Sequence, residues 1–306
     1  MSDESDLEWY IPPIDVNKEM KDSQPGEIDH KGFMSKNMAS MFTCRDLSDV
    51  TFVVEEEEFP AHKFLLVTRS KYFRAMFLGG LKERNDDKVV LKETSGFAFR
   101  ALLWYIYTGT LSLIPYDEKQ VLEILKVAHM YDFVKLEKAI VEYLKTILNT
   151  QNVCEIFNLS LLYSLFDLRL CCISFAVQNI QPVLASQGLV QLPANALTQL
   201  LSPCKFYVCA ITLFRAVREW IMAHQDLEVN TEEIVMTCVP LPHINRQDLL
   251  KEVRQSGLVK ADTILDAIEK QDNRRGSNER RRNFHSKGGS RKSRPRPWEM
   301  KPAFPF

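Results

Sequence analysis

The chain has 306 residues, 45% hydrophobic and 26% charged, which is long enough for two domains of ordinary size and too apolar for a wholly disordered protein. Its formal charge of −1 is a cancellation: residues 271–306 hold eleven Lys/Arg against three acids, a surplus of eight that leaves −9 for residues 1–270. Only the basic end is suited to attract polyanions.

Residues 1–45 carry nine acids and five Lys/Arg without the apolar block of a signal peptide. A short amphipathic helix is predicted within residues 28–42, and the rest of the leader is expected to be disordered. From Asp49 the pattern changes. Val50, Phe52 and Val54 alternate with Thr51 and Val53, Glu55 to Glu58 form a charged turn, and Phe59 restarts a strand ending near His62, which together predict a β-hairpin. Residues 63–78 read as one helix, with Phe73 and Phe77 a turn apart, stopped by Gly79 and Gly80. A short strand is predicted over 88–92, a central core helix over 97–107, and another short strand over 110–114 closed by Pro115.

Beyond Pro115 only helical periodicity remains: 118–128, 136–148, 153–165, 168–180, 197–201, 209–224, 232–239, 248–254 and 263–270. The expected architecture is therefore a mixed α/β unit over 46–150 followed by an all-helical unit over 151–270, each of about 100–120 residues. From Gln271 the composition turns to Arg, Ser, Gly, Asn and Pro, which predicts a disordered tail. The most apolar run, 159–180, is interrupted by Asp167 and Arg169 and reads as buried helix, so no membrane partner is expected.

Chemistry finds few footholds. There is no G-x-S-x-G, no H-E-x-x-H and no Gly-rich phosphate loop, and 11 glycines in the whole chain leave little material for one. His62 falls at a strand–helix junction and reads as a structural residue. The seven cysteines are odd in number and lack CxxC spacing; Cys204 and Cys209 have no matching second pair, so buried, reduced, cytosolic thiols are predicted in place of a disulfide framework or zinc site. A non-catalytic protein without cofactor or metal is the expectation.

Four segments in one order carry a resemblance: Asp49-Val50-Thr51-Phe52-Val53-Val54, Phe59-Pro60-Ala61-His62-Lys63, Ser70-Lys71-Tyr72-Phe73-Arg74-Ala75-Met76-Phe77, and Tyr105-Ile106-Tyr107-Thr108-Gly109. Their succession resembles the BTB (POZ) domain, an α+β fold. The helical half is similar to a BACK domain through residues 213–220, Val239-Pro240-Leu241-Pro242 and residues 253–258, although the acidic residue usual before its Phe-x-Ala-Val-x-x-Trp core is here Ala210. Residues 26–30, 144–154 and 264–268 narrow the resemblance to a branch that carries discoidin-like β-sandwich domains after the BACK unit, where this sequence has its Arg-rich tail.

The resemblance implies a protein-interaction adaptor, cytoplasmic and with access to the nucleus, that forms a homodimer and binds a cullin-3 scaffold and a client protein. For the dimer it implies an N-terminal helix, to which Ile28, Phe33, Met34, Met38, Met41 and Phe42 could contribute; the same residues could instead pack on their own subunit. Asp49 and Lys63 match a charged pair of the family's dimer-lining pocket or form a local hairpin contact. For cullin-3 it implies the hydrophobic-x-Glu triplet Leu81-Lys82-Glu83 after the helix that ends in Met76-Phe77, with Leu81 as anchor and Glu83 as acceptor, against a plain solvated loop. Phe77 joins that expected contact. Ile156, Leu159 and Leu162 lie in a segment similar to the 3-box that extends it, unless they are buried within their domain. A scaffold without ubiquitin transfer is the alternative function. A third is polyanion binding by the tail around Arg280, Arg281 and Arg282, against a solvated tail or nuclear-import signal; no Cys2His2 finger is present to read DNA sequence, so nucleic acid is not an expected partner.

Overall fold

The computed structural model describes residues 31–79, 87–224 and 230–287. The chain divides between Ile147 and Leu148 into two compact units.

The first unit starts with α1 (Lys31–Thr43), then the hairpin β1 (Val50–Val54) and β2 (Glu57–Ala61). β1 pairs antiparallel with β2, Phe52 opposite Phe59, and parallel with β3 (Lys88–Val90), Phe52 opposite Val89, giving the order β2-β1-β3. Val50, Phe52 and Val54 are buried while Thr51 and Val53 are half-buried, the period-two pattern of a strand with one face on a core. The predicted four-residue charged turn is a two-residue one: Glu55 and Glu56 both have positive φ, 47° and 70°, the left-handed pair that a tight hairpin requires. Glu55 is held there because its carboxylate accepts the Gly96 N–H at 2.9 Å.

The single helix expected over 63–78 is two, α2 (Lys63–Arg69) and α3 (Lys71–Leu78). Ser70 between them is extended and ends one helix while starting the next: its N–H donates to the Leu66 carbonyl and its Oγ accepts the Phe73 N–H. The same buried hydroxyl donates to the Tyr131 carbonyl at 2.9 Å. Next come α4 (Gly96–Thr108), α5 (Glu118–Met130) and α6 (Val134–Thr146). α4 ends at Gly109, whose φ of 73° suits a residue without Cβ, and α5 opens with a capping box between Asp117 and Gln120. Residues 110–113 form no strand, a correction of the sequence expectation, since no described strand lies beside them to pair. The core gathers rings from four elements: Phe52 packs on Phe73, Phe77 and Phe99, and Tyr131 stacks on Phe73 at 5.2 Å.

The second unit is helical throughout its described residues. α7 (Val153–Leu162) and α8 (Phe166–Gln178) pair as a hairpin, followed by the short α9 (Ile180–Leu184) and α10 (Gln187–Val190), then α11 (Ala194–Cys204), α12 (Ala210–Ala223) and α13 (Thr231–Cys238). A 3-10 turn (Leu241–His243) leads to α14 (Arg246–Asp248), a π-helical stretch (Leu249–Val253), α15 (Arg254–Ser256) and α16 (Ala261–Lys287). Trp220 is fully buried, and its indole N–H donates to the Leu192 carbonyl at 2.8 Å. The Ala210 that replaces the usual acid is the first residue of α12, whose N-cap, Cys209, makes no side-chain cap bond.

α16 does not stop near Lys270 as composition predicts. Its backbone continues helical through Lys287, because the turn packed by Ile264, Ala267 and Ile268 has already met the cost of nucleation and extension adds one bond per residue. The remainder of the expected tail, 288–306, and the leader, 1–30, lie outside the described residues.

Candidate interaction surfaces

α1 lies on α4 within the first unit. Phe42 meets Trp104 and Tyr107 edge-on, with ring centroids 5.5 and 5.8 Å apart, and Met38 and Met41 are half-buried. These three residues therefore pack at least in part on their own unit. Phe33 and Met34, in the first turn, are 64% and 55% exposed and form an apolar spot with no described cover. Ile28 lies outside the described residues.

A buried polar cluster fixes the chain just after α1. His62 is buried where β2 meets α2, with Nδ1 2.6 Å from the Tyr107 hydroxyl and Nε2 3.2 Å from the Asp46 carbonyl. The Tyr107 oxygen also accepts the His62 backbone N–H at 3.1 Å. With its oxygen so used, the hydroxyl can donate to Nδ1 while Nε2–H donates to Asp46, which satisfies every polar atom of the pair. Burial pushes the Tyr107 phenol up to about 12, the nearby Asp49 charge adding to it against the opposing His62 bond, so it stays a proton donor. His62 is thus a structural tie between elements. Asp49 and Lys63 meet locally: the Asp49 carboxylate accepts the Lys63 backbone N–H at 2.7 Å, satisfying a free donor at the start of α2, while the Lys63 ammonium lies 5.3 Å from the Phe77 ring.

Of the residues expected at a cullin contact, Leu81 and Glu83 lie outside the described residues. Phe77 is 3% exposed and packed on Phe52 and Phe73, and Ile156 is fully buried in the second unit. Both are corrections: each points to the inward face of its helix, and neither is presented to a partner. Leu159 is half-buried and Leu162 is 66% exposed. Sequence reasoning missed the apolar residues around these positions. Phe64, Tyr72 and Leu78 are exposed on α2 and α3, Leu78 immediately before the segment that holds Leu81. In the second unit Phe166 and Leu170 stand exposed one turn apart on α8, and Leu170 lines a shallow groove with Ile173 and Pro203. The signal available in the sequence was an apolar residue off the helical stripe, which periodicity scores as noise.

No group of three His, Cys, Asp or Glu among the described residues is placed to hold a metal, and no described helix is long and apolar enough to cross a membrane. Cys154, Cys172, Cys204 and Cys238 are buried, and burial pushes their thiols up to about 11, 12, 11 and 12. They are protonated hydrophobes, not nucleophiles. The described side chain of Arg274 donates to His243 at 2.9 Å, and Arg280, Arg281 and Arg282 fall on the described backbone of α16.

Comparison with known proteins agrees with this architecture. Residues 38–148 match the BTB/POZ domain family model, and residues 153–254 match the model described as BTB And C-terminal Kelch, or BACK. The chain is 41% identical to human BTB/POZ domain-containing protein 9 over 79% of its own length and 39% of the relative's, and 37% identical to the Drosophila melanogaster protein of that name over 77% and 32%. Rat Kelch-like protein 2 is 29% identical over 70% of this chain and 36% of its own. Among solved structures, the BTB domain of human gigaxonin is similar at 20% identity over 40% of this chain and 99% of that one, with a TM-score of 0.33. The chain spans about two fifths of the length of the curated human relative it matches. The two domain matches stand in tandem over the units that the fold separates at Ile147, and lead to one conclusion: this chain carries a BTB/POZ domain followed by a BACK domain.

Proposed function

We propose that the protein is a non-catalytic adaptor whose first unit dimerises and binds cullin-3, whose second unit sets spacing, and whose remaining surface holds a client for ubiquitin transfer. The observation that carries this reading is the direct succession of the two matched domains, an order shared with a Kelch-like relative over 70% of this chain. Leu81-Lys82-Glu83 supports it by position, following α3 and its exposed Leu78. An apolar anchor beside a carboxylate suits a partner with a small hydrophobic pocket rimmed by donors. Phe33 and Met34 are the side chains with which α1 would meet a second copy.

Affinity capture with the full chain beside a Leu81→Ala, Glu83→Ala double variant tests the reading. Cullin-3 is expected with the natural chain and strongly depleted with the variant, while the client is retained by both. Reconstitution with the ligase core then separates adaptor from scaffold: ubiquitin on a captured client supports the adaptor, and cullin-3 binding with unmodified clients favours the scaffold. For the dimer, Phe33→Asp with Met34→Asp is expected to halve the mass seen by light scattering; an unchanged mass removes α1 from that role.

A further inference from the structure

The adaptor reading leaves the basic end of α16 unused. Along the described side chains of that helix, Ala267 and Ile268 are buried, Gln271 is half-buried, and Asp272, Asn273 and Arg274 are exposed. The helical backbone nevertheless runs on to Lys287. Over this stretch the sequence reads Arg274-Arg275-Gly276-Ser277, followed by Arg280, Arg281 and Arg282. No other Ser or Thr of the 306 residues has Lys or Arg at both the second and third position before it.

We propose that Ser277 is a phosphoacceptor for an arginine-directed protein kinase, and that the helical register gathers Arg274, Arg280 and Arg281 about the resulting phosphate. A kinase with acidic subsites selects a substrate by cations at fixed positions before the hydroxyl, which Arg274 and Arg275 supply. Entry into such a cleft requires a locally extended chain. Gly276 and Asn278 flank Ser277, and a glycine costs a helix about 1 kcal/mol relative to alanine, so the helix opens here at small cost. In the transfer the Ser277 oxygen attacks the γ-phosphorus of a nucleoside triphosphate. The new O–P bond forms as the bond to the β–γ bridging oxygen breaks, the nucleoside diphosphate leaves, and the hydroxyl proton passes to the kinase's catalytic aspartate.

Helical register sets the consequence of that transfer. Positions 274, 280 and 281 stand three before, three after and four after Ser277, which places them on one face of the re-formed helix. Before modification those three positions carry charge of one sign. A phosphate of nearly two negative charges reverses the sign of the interaction and draws Arg274 away from His243, to which it donates in the unmodified protein. The surplus of eight positive charges over 271–306 falls to about six, which lowers the attraction that charge exerts on polyanions.

The test uses the full chain with the catalytic subunit of cAMP-dependent protein kinase and Mg-ATP, read by intact mass and peptide mapping. One phosphate is expected on Ser277. Ser277→Ala should abolish it, and Arg274→Ala with Arg275→Ala, leaving Ser277 in place, should slow it at least about tenfold, the equivalent of one lost charge-assisted contact. No incorporation, or equal incorporation into Ser277→Ala, overturns the site. Hydrogen exchange over 274–281 should slow on phosphorylation, and Arg280→Ala with Arg281→Ala should remove the slowing without preventing phosphorylation. Exchange that is unchanged or faster in the phosphorylated natural chain overturns the arginine clamp.

Discussion

The two units are held by different means. In the first, buried polar side chains tie the elements at their ends: Ser70 joins α2, α3 and the end of α5, His62 and Tyr107 join the segment after α1 to β2 and α4, and Thr94 meets the Tyr131 hydroxyl at 3.0 Å. In the second, the buried hydroxyls of Ser160 and Ser186 donate locally, to the Phe157 and Val183 carbonyls, and the interior is otherwise mainly apolar helix faces with four thiols among them, Trp220 with its bond to Leu192 being the largest buried group. Polar ties are directional and fix one arrangement of loops, which suits a unit whose proposed contacts lie on short helices and turns. Apolar packing tolerates variation and suits a spacer.

Alkaline pH should separate the units most strongly. The buried thiols of the second unit have folded pKa values of about 11–12 against the ordinary 9.0, and Tyr107 and Tyr131 of the first about 12 against 10.0. A raised folded pKa means the native state keeps protons that the unfolded chain releases, so this stability is intact below the unfolded pKa and is lost as pH rises toward the folded one. Each group contributes at most about 1.4 kcal/mol per pH unit. The helical unit should therefore begin to weaken near pH 9 and the mixed unit near pH 10, resolvable by hydrogen exchange read peptide by peptide. Simultaneous loss would break the comparison.

Trp220→Ala should destabilise the second unit by about 3–5 kcal/mol, measured by denaturant unfolding, and leave protection of the first unit's β1 unchanged. Ser70→Ala removes an N-cap and the donor to a buried carbonyl, with an expected cost of about 1–2 kcal/mol confined to the first unit. A loss below about 0.5 kcal/mol would show that the tie is not a major contributor. The smallest effect should be a gain. Glu56→Gly relieves a left-handed residue in the hairpin turn and should raise stability by up to about 1 kcal/mol, visible as a shifted denaturant midpoint.

Much of the fold is legible in the sequence because periodicity reports burial. Val50, Phe52 and Val54 alternate in the sequence and are buried in the fold, and Cys172, inside the most apolar run, is buried while Cys44, at the end of the polar leader, is exposed. The features that escape it depend on partners or on tertiary context. A helix break at Ser70 is invisible to a pattern of apolar spacing that continues across it, although a Ser before an apolar run is a capping signal. The missing strand over 110–113 has β-type composition but pairs with none of the described strands. Phe77 and Ile156 are assigned to an interface by their place in a motif, and burial shows them to be core. The helix beyond Lys270 is hidden because composition describes an isolated peptide, whereas this one extends a turn already packed.

The central claim is cullin-3 engagement through the segment after α3, and its most direct test is the affinity of the purified full chain for purified cullin-3, measured calorimetrically. The account predicts binding with one cullin per chain, weakened about 30-fold or more in the Leu81→Ala, Glu83→Ala variant, the loss expected of a hot-spot anchor of about 2 kcal/mol. Absence of binding by the natural chain, or equal affinity in the variant with its fold intact, would contradict it.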